Sequence, residues 1–200
     1  MIITITGRPG SGKGTVGKML AQRLKYKYFT IGGIRREIAK SKGMTLEEYN
    51  RLGEKKSFTD KPVDAWQKKY GRTKDNTVME GRLSWYFIPH SVKIFLDVSL
   101  PEGARRIWHD SSQLRQHEAK FFSHKSVIAS LKRRIASDTR RYRRYYGVDI
   151  FNRRHYDLVV RTTNRTPKQV LQVILKHLNE KSLLKHGVNN QGTIKAPIHK

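Results

Sequence analysis

Short apolar runs alternate along the chain with longer segments in which apolar residues recur every three or four positions. The runs predict strands at residues 1–6, 26–30, 77–80, 92–98 and 158–161, and the periodic segments predict helices between them. Strands and helices that alternate in this way are typical of a parallel sheet with helices on both faces. The sequence therefore predicts an α/β fold, a three-layer α/β/α arrangement with a five-stranded parallel sheet in the middle.

Two of the predicted helices begin at recognisable capping signals. Thr45 is followed three residues later by Glu48, which is the spacing of a capping box, and Thr166 with Pro167 precedes the last periodic segment. A short helix is predicted at residues 34–41. The longest is predicted at 126–145, with an apolar stripe made of Ile128, Leu131, Ile135, Tyr142 and Tyr146.

The length of 200 residues suits one domain, which we expect to span about residues 1–180. Residues 181–200 combine Lys, His, Asn and Gly with few apolar side chains, and they predict a basic, disordered tail. No apolar run approaches the roughly 20 residues of a membrane-spanning helix. The absence of cysteine excludes disulfides and Cys-ligated zinc. We therefore expect a cytoplasmic protein that has no membrane partner.

The net charge is strongly positive, since 42 Lys and Arg face 16 Asp and Glu, which gives +26. An excess of this size is typical of proteins that bind RNA or anionic substrates, or of a generally basic proteome. Residues 132–144 hold seven basic side chains against one acid, but the rest of the excess is spread along the chain. This distribution is weak evidence for a single nucleic-acid groove.

The most specific motif is the segment 7–15, GRPGSGKGT, which follows the first strand and opens the first helix. Its glycines let backbone N–H groups turn toward an anion, and its lysine can reach the β- and γ-phosphates of a nucleotide. The dipole of the following helix adds to this cradle. We expect ATP to bind at Gly7, Pro9, Gly10, Ser11, Gly12, Lys13, Gly14 and Thr15.

A phosphate loop of this kind normally works with Mg²⁺. The hydroxyl that holds the metal usually follows the lysine directly, but Gly14 stands there and Thr15 comes next, so we assign Thr15 to the metal. Glu80, at the end of the third strand, is the acid expected to hold Mg²⁺ through water. Asp97, at the end of the fourth strand, competes for this role, and we expect it to be structural.

Cationic side chains follow the strands at the edge where a ligand binds in an open α/β sheet. Arg35 and Arg36 follow the second strand, and Arg82 follows the third. On the long helix, Arg134, Asp138 and Arg141 are spaced i, i+4 and i+7, so they share one face. These groups could bind nucleotide phosphates, and the competing interpretation is a set of solvated arginines and a salt-bridged surface stripe.

These segments resemble the cytidylate kinases, in particular the compact archaeal type, within the P-loop nucleoside monophosphate kinases. The resemblance extends over roughly residues 1–178. It is carried by residues 7–15, 32–37, 80–82, 134–142, 145–150 and 156–160.

The resemblance implies direct in-line transfer of the ATP γ-phosphoryl group to a pyrimidine nucleoside monophosphate, most of all CMP or dCMP. It implies a helical acceptor-binding insertion at about 30–75 and a lid at about 109–141. Arg36 would bind the acceptor α-phosphate, and Arg82 would lie at the cytosine or the phosphate. The expected catalytic residues are Lys13, Arg82, Arg134 and Arg141, and further acceptor contacts are expected from Asp60, Asp64, Gln67 and Asp138.

The chain departs from the family pattern at Gly33, where many relatives carry an acid, and at Arg35, which replaces an aromatic residue. These departures leave the choice among CMP, dCMP and UMP open. Other classes also remain: an adenylate-kinase-like NTPase associated with RNA or ribosomes, a degraded kinase that only binds nucleotide, and a sugar or shikimate kinase. We expect a monomer whose partners are small nucleotides, with RNA compatible with the charge but not required.

Overall fold

The computed structural model describes residues 1–55, 61–109 and 123–184. Five parallel strands form one sheet in the order β2-β3-β1-β4-β5. They are β1 (Ile2–Gly7), β2 (Lys27–Thr30), β3 (Thr77–Glu80), β4 (Val92–Asp97) and β5 (Leu158–Arg161). The predicted α/β fold with a five-stranded parallel sheet is confirmed, and each strand lies within one residue of its predicted position.

Helices connect the strands and cover both faces of the sheet. They are α1 (Lys13–Leu24), α2 (Ile31–Ser41), α3 (Leu46–Lys55), α4 (Lys61–Thr73), α5 (Ser84–Phe87), α6 (Leu100–Trp108), α7 (His124–Tyr146) and α8 (Pro167–Glu180), with a 3-10 turn at Arg153–His155. Both predicted capping signals are made: Glu48 accepts from the Thr45 backbone N–H at 2.8 Å, and Gln169 accepts from that of Thr166 at 2.9 Å. Within the described ranges, none of the helices has the length and apolar character that a membrane crossing needs.

Side chains on the two faces of β1 pack into two separate parts of the core. Ile3 and Ile5 pack with α1 and α8 on one side, whereas Ile2 packs with α2, α4, α5 and α7 on the other. All six residues of β1 are buried, as the strand lies in the middle of the sheet. A central parallel strand is covered on both faces, so Thr4 and Thr6 are buried together with the isoleucines.

Helix α2 begins three residues earlier than the sequence predicts, at Ile31 instead of residue 34. The reason is a local cap, because Thr30 ends β2 and its hydroxyl accepts a hydrogen bond from the Gly33 N–H at 3.3 Å. The strand therefore passes directly into the helix. The four-residue helix α5 was not predicted, since it is too short to show a period.

The predicted apolar stripe of α7 faces the core, but it is not the whole buried side of the helix. Leu131 and Tyr142 are buried as expected, and Ile128 and Tyr146 are partly buried against the core. The buried positions that the stripe does not include are Val127, Asp138 and Arg141. A periodicity rule assigns charged residues to solvent. Here an acid and a base enter the interior together, because Asp138 pairs with Arg82 from another part of the fold.

Candidate active site

A cleft of about 870 Å³ opens at the carboxyl edge of the sheet. The loop after β1 forms its floor, and residues at the ends of β2 and β3 and just after β5 line its walls, including Thr30, Glu80 and Thr162. Helices α1, α2, α4, α6, α7 and α8 also contribute residues to its lining. This is the edge at which open α/β sheets bind ligands.

The phosphate loop packs its backbone directly against the first turn of α6. Gly10 has a φ of +76°, and a Cβ added there would lie 2.3 Å from the carbonyl oxygen of Gly103. Glycine is therefore needed at Gly10 both for its backbone angle and for the close approach. The Lys13 ammonium donates to the Arg8 carbonyl at 2.9 Å, which holds the lysine across the loop.

The predicted donor-binding residues lie in the cleft, with one exception. Pro9, Gly10, Ser11, Gly12, Lys13, Gly14 and Thr15 all line it. Gly7 is not among the lining residues, because it ends β1 against β4, where an added Cβ would lie 2.2 Å from the Leu96 carbonyl oxygen. Its contribution is to permit the tight exit from the strand.

Glu80 lies against the first turn of α1, where the sequence places the metal site. A Cβ added at Gly14 would lie 3.7 Å from Glu80 Oε2, so the carboxylate faces the residues next to Thr15. Tyr28 fixes this carboxylate, since its hydroxyl donates to Glu80 Oε2 at 2.8 Å. Burial and the neighbouring Glu80 raise the pKa of Tyr28 well above its ordinary value, which keeps the phenol a donor.

Asp97, the competing candidate for the metal, is held by two arginines. The Arg8 Nε donates to Asp97 Oδ1 at 3.0 Å, and Arg153 donates to the other carboxylate oxygen. Asp97 is not one of the described residues that line the cleft. Its position agrees with the structural role expected for it.

The acceptor end of the cleft gathers the predicted cations and polar groups. Arg36, Asp64, Gln67 and Arg82 all line it. Asp60 lies outside the described residues. Gln67 is 2% exposed, and its Oε1 accepts from the Ser84 hydroxyl at 2.7 Å, which fixes the side-chain amide. Tyr146 donates a hydrogen bond to Asp64, so α7 also holds this end of α4.

Arg82 is oriented by a buried carboxylate on α7. Its Nε donates to Asp138 Oδ2 at 2.5 Å, and Asp138 is 4% exposed. Burial is the largest influence on the pKa of Arg82 and lowers it, but the charge and hydrogen bond of Asp138 together with the charge of Tyr142 outweigh burial, so the pKa is raised. Arg82 therefore keeps its positive charge at the wall of the cleft.

The three predicted residues on α7 divide between the cleft and the core. Arg134 lines the cleft, whereas Asp138 and Arg141 are not among the described lining residues. Arg141 is 2% exposed, lies 3.5 Å from Asp138 and donates to the Tyr142 hydroxyl at 2.7 Å. Arg141 thus lies on the interior side of the Arg82–Asp138 pair. It can influence the cleft only through Asp138 and Arg82.

Several lining residues were missed by the sequence analysis. Arg106 donates to the carbonyls of Thr162 at 2.7 Å and Thr163 at 3.1 Å, and its Nε donates to Glu102 Oε1 at 2.7 Å. It therefore ties α6 to the loop after β5. The other missed residues in the lining include Tyr28, Thr30, Arg105, Tyr142 and Arg165, and no motif marks them as site residues. Arg35, which the sequence places with Arg36 after the second strand, also lines the cleft.

The lid predicted at about 109–141 and the tail predicted at 181–200 are only partly described. Residues 110–122 and 185–200 lie outside the described ranges, so these two predictions stay predictions. The part of the predicted lid that the structure describes is residues 109 and 123–141, which include most of α7 and contribute Arg134 to the cleft.

Comparison with known proteins gives one consistent result. The model of the cytidylate kinase-like family matches residues 2–164. The chain is 35% identical over 180 residues to a cytidylate kinase of Methanocella arvoryzae, an alignment that covers 90% of this chain and 98% of the relative. It is 34% identical over 188 residues to a cytidylate kinase of Archaeoglobus fulgidus, with 92% and 97% covered.

A solved structure supports the fold independently of the sequence. A shikimate kinase from Bacteroides thetaiotaomicron superposes with a TM-score of 0.59, covering 92% of this chain and 99% of the other. The identity is only 14%, so the match concerns the fold alone. A sugar or shikimate substrate gains no support from it.

Proposed function

This chain belongs to the cytidylate kinase-like family, and on that premise we propose that it is a nucleoside monophosphate kinase whose acceptor is CMP or dCMP. ATP is the proposed phosphoryl donor, with Mg²⁺ as the accompanying ion. The observation that carries the proposal is the cleft of about 870 Å³, in which the phosphate loop lines the same space as Arg36, Arg82 and Arg134. A kinase that joins two nucleotides needs an anion site at each end of such a space.

The donor site uses the loop and the start of α1. Its backbone N–H groups and Lys13 would hold the β- and γ-phosphates, and the helix dipole favours their charge. Glycine at Gly10 and at Gly12, whose φ is +83°, permits the loop conformation that this binding requires. Arg106 supports the other side of the donor site by fixing Thr162 and the residues after it.

The metal site fits what Mg²⁺ prefers. In the described part of the chain, no three His, Cys, Asp or Glu side chains gather around a metal position. Mg²⁺ bound to nucleotides needs no such cage, because phosphates and waters supply most of its ligands. Thr15 and Glu80 are the residues that would hold it, and when bound the ion neutralises phosphate charge.

The acceptor site uses α2, α4 and the end of β3. Arg36 and Arg82 would bind the acceptor phosphate, with Asp138 orienting Arg82 at 2.5 Å. Asp64 and Gln67 lie in the same wall and are the proposed contacts to ribose and base. Arg141 acts as a positioning residue, since it stabilises the Asp138 carboxylate from the interior.

The reaction is a direct transfer in which the protein mainly positions charge. An oxygen of the acceptor phosphate attacks the γ-phosphorus, and the bond from that phosphorus to its bridging oxygen breaks. ADP leaves with the bridging oxygen, and the acceptor becomes a nucleoside diphosphate. Lys13, Arg82 and Arg134 would stabilise the negative charge around the moving group.

The test is an ADP-release assay with ATP, Mg²⁺ and each of CMP, dCMP, UMP and AMP, with a control that lacks an acceptor. We expect turnover with CMP or dCMP that falls at least a hundredfold in Lys13→Ala, because one preorganised charge is worth about 3 kcal/mol in such a site. Lys40→Ala, an exposed lysine outside the cleft, is the matched control and should keep its rate. ADP release that ignores every monophosphate would contradict the proposal.

A further inference from the structure

The solvent side of α7 is the most cationic helix face in the described structure. All 23 residues of this helix are described, and eight of them are exposed. None of the eight is acidic, and two are the small residues Ala129 and Ala136. The other six form what we call the α7 ridge: Lys125, Lys132, Arg133, Arg140, Arg143 and Arg144.

The ridge is long and continuous. At 1.5 Å per residue, the distance along the helix from Lys125 to Arg144 is about 29 Å. Arginines of the ridge have local contacts: Arg143 pairs with Asp149 at 2.9 Å, and the Arg144 guanidinium lies over the Tyr145 ring at 5.7 Å. These contacts place the Tyr145 ring and the Asp149 carboxylate beside the carboxyl end of the ridge.

The ridge is separate from the active site although both use the same helix. Arg134 faces the cleft, and Asp138 and Arg141 face the core, whereas the exposed cations lie on the remaining side. No residue of the ridge is among the described residues that line the cleft. Phosphoryl transfer therefore does not account for this concentration of charge.

We propose that the α7 ridge binds the phosphodiester backbone of double-helical nucleic acid, without reading its sequence. A duplex carries about one negative charge per 1.7 Å of its axis, so a 29 Å row of cations faces many phosphates at once. Arg and Lys are the side chains that bind phosphates, and the two alanines leave room for a close approach. Binding by such contacts is governed by counterion release and falls steeply with salt.

The chemistry of the ridge favours a duplex over a single strand. Single-strand binding relies on aromatic rings that stack on successive bases. The eight exposed positions of α7, all within the described residues, carry no aromatic side chain. The ridge therefore offers charge alone, and the paired strands of a duplex present more phosphates per unit length.

The same composition argues against a membrane surface as the binding partner of the ridge. Helices that lie in a bilayer interface present a wide apolar face to the lipid. The apolar side of α7 is occupied, because Val127 and Leu131 pack against α6 and Tyr142 packs in the main core. Alanine is the largest apolar residue on the exposed face.

The test compares two variants of the full chain that lose equal charge. The ridge variant replaces Lys132, Arg133, Arg140 and Arg144 by glutamine. The matched control replaces four exposed lysines on α2, α4 and α8 by glutamine: Lys40, Lys69, Lys168 and Lys176. Binding is measured by fluorescence anisotropy with a labelled RNA duplex of about 20 base pairs, and with the DNA duplex, the single strand and anionic vesicles in parallel arms.

We expect the native chain to bind a duplex with a salt slope near −5, from about six contacts. The ridge variant should lose at least tenfold in affinity and more than half of the slope, while the control loses less than threefold. Duplex binding is measured without nucleotides and does not require turnover, which separates this result from a failure of the proposed function. The preference between the RNA and DNA arms identifies the source of the phosphodiester.

Three outcomes would overturn the proposal. Equal losses in the two variants would show that net charge, rather than the ridge, is responsible. Absence of duplex binding by the native chain at about 0.1 M salt would show that the ridge is only solvated. Tighter binding to vesicles or to the single strand would assign the ridge to a different partner.

Discussion

The hydroxyl of Tyr28 donates a hydrogen bond to Glu80 Oε2 at 2.8 Å and so links two neighbouring strands at the edge where the cleft opens. The Tyr28 ring also packs under α1, because a Cβ added at Gly17 would lie 2.8 Å from its Cε2. One side chain therefore sets the distance between the first turn of α1 and the carboxylate proposed to hold Mg²⁺.

Replacing Tyr28 by Phe should weaken the response to Mg²⁺ more than it weakens folding. A hydrogen bond to a charged group contributes about 1.5–3 kcal/mol, so we expect a roughly tenfold higher Mg²⁺ requirement. The measurement is ATP binding by calorimetry with Mg²⁺ and with EDTA, together with turnover. Binding in EDTA should change little. A loss of the same size in both conditions would contradict a role through Glu80, and Tyr26→Phe, outside the cleft, is the control.

The contributions of the Arg82–Asp138 pair to the free energy of unfolding and to activity should be separable. Asp138→Ala leaves an arginine facing an empty, buried position and should lower the free energy of unfolding by about 3 kcal/mol. The double variant Arg82→Met with Asp138→Leu should recover only part of that loss, since it removes the unpaired Arg82 charge but leaves the buried Arg141 beside an apolar residue. It should still lack activity.

Urea unfolding and steady-state kinetics measure the two parts of the Arg82–Asp138 prediction. We expect the kinetic loss in the double variant to be a rise in KM for the monophosphate together with a lower kcat, because Arg82 would touch the acceptor phosphate. Recovery of turnover in the double variant would show that Arg82 is only structural.

Gly10 and Gly43 offer a matched comparison for the phosphate loop. Both have positive φ, +76° and +66°, so alanine strains the backbone by about 1–2 kcal/mol at each. Only at Gly10 does the added methyl also collide with another backbone, that of Gly103. We expect Gly10→Ala to reduce ATP affinity at least tenfold and Gly43→Ala to leave it unchanged, as measured by calorimetry. Equal affinities would show that the loop does not depend on this contact.

The carboxylate of Glu102 should make the stability of the fold depend on pH in the acid range. Hydrogen bonds from Arg105 and then Arg106 lower its pKa to about 2, from an ordinary value of 4.5. A lowered pKa means that the carboxylate stabilises the fold above about pH 4.5, and that this stabilisation is lost as the pH falls toward 2. The difference in melting temperature between the native chain and Glu102→Gln should thus be constant near neutral pH and shrink below 4.5. A difference that does not vary with pH would contradict this assignment.

The sequence predicts the strands well because each is a short apolar run with a turn signal on either side. The same reasoning fails on α7, where the interior positions include Asp138 and Arg141. Burial of these charges depends on Arg82, which lies 56 residues before Asp138 in the chain and follows β3. Periodicity within one helix contains no information about a partner from elsewhere.

The residues of the candidate site divide in the same way, into those that the sequence predicts and those that it does not. Lys13, Glu80 and Arg82 belong to short local motifs and could be predicted, since their chemistry is tied to spacing within one loop. Tyr28 could not, because its contact with Glu80 follows from the register that pairs Thr30 with Glu80. Arg106 was missed for a related reason: its carbonyl partners lie 56 and 57 residues away, after the last strand.

The central position of β1 has a consequence for the order of events during synthesis. β1 leaves the ribosome first, but its hydrogen-bonded neighbours are β3 and β4, whose residues begin at Thr77 and Val92. Pairing across such separations delays folding, since long loops must close before any contact compensates for their entropy. The nascent chain therefore carries β1 without its two neighbours until residue 97 has emerged. The phosphate loop reaches its final packing later still, because Gly10 contacts the backbone of Gly103.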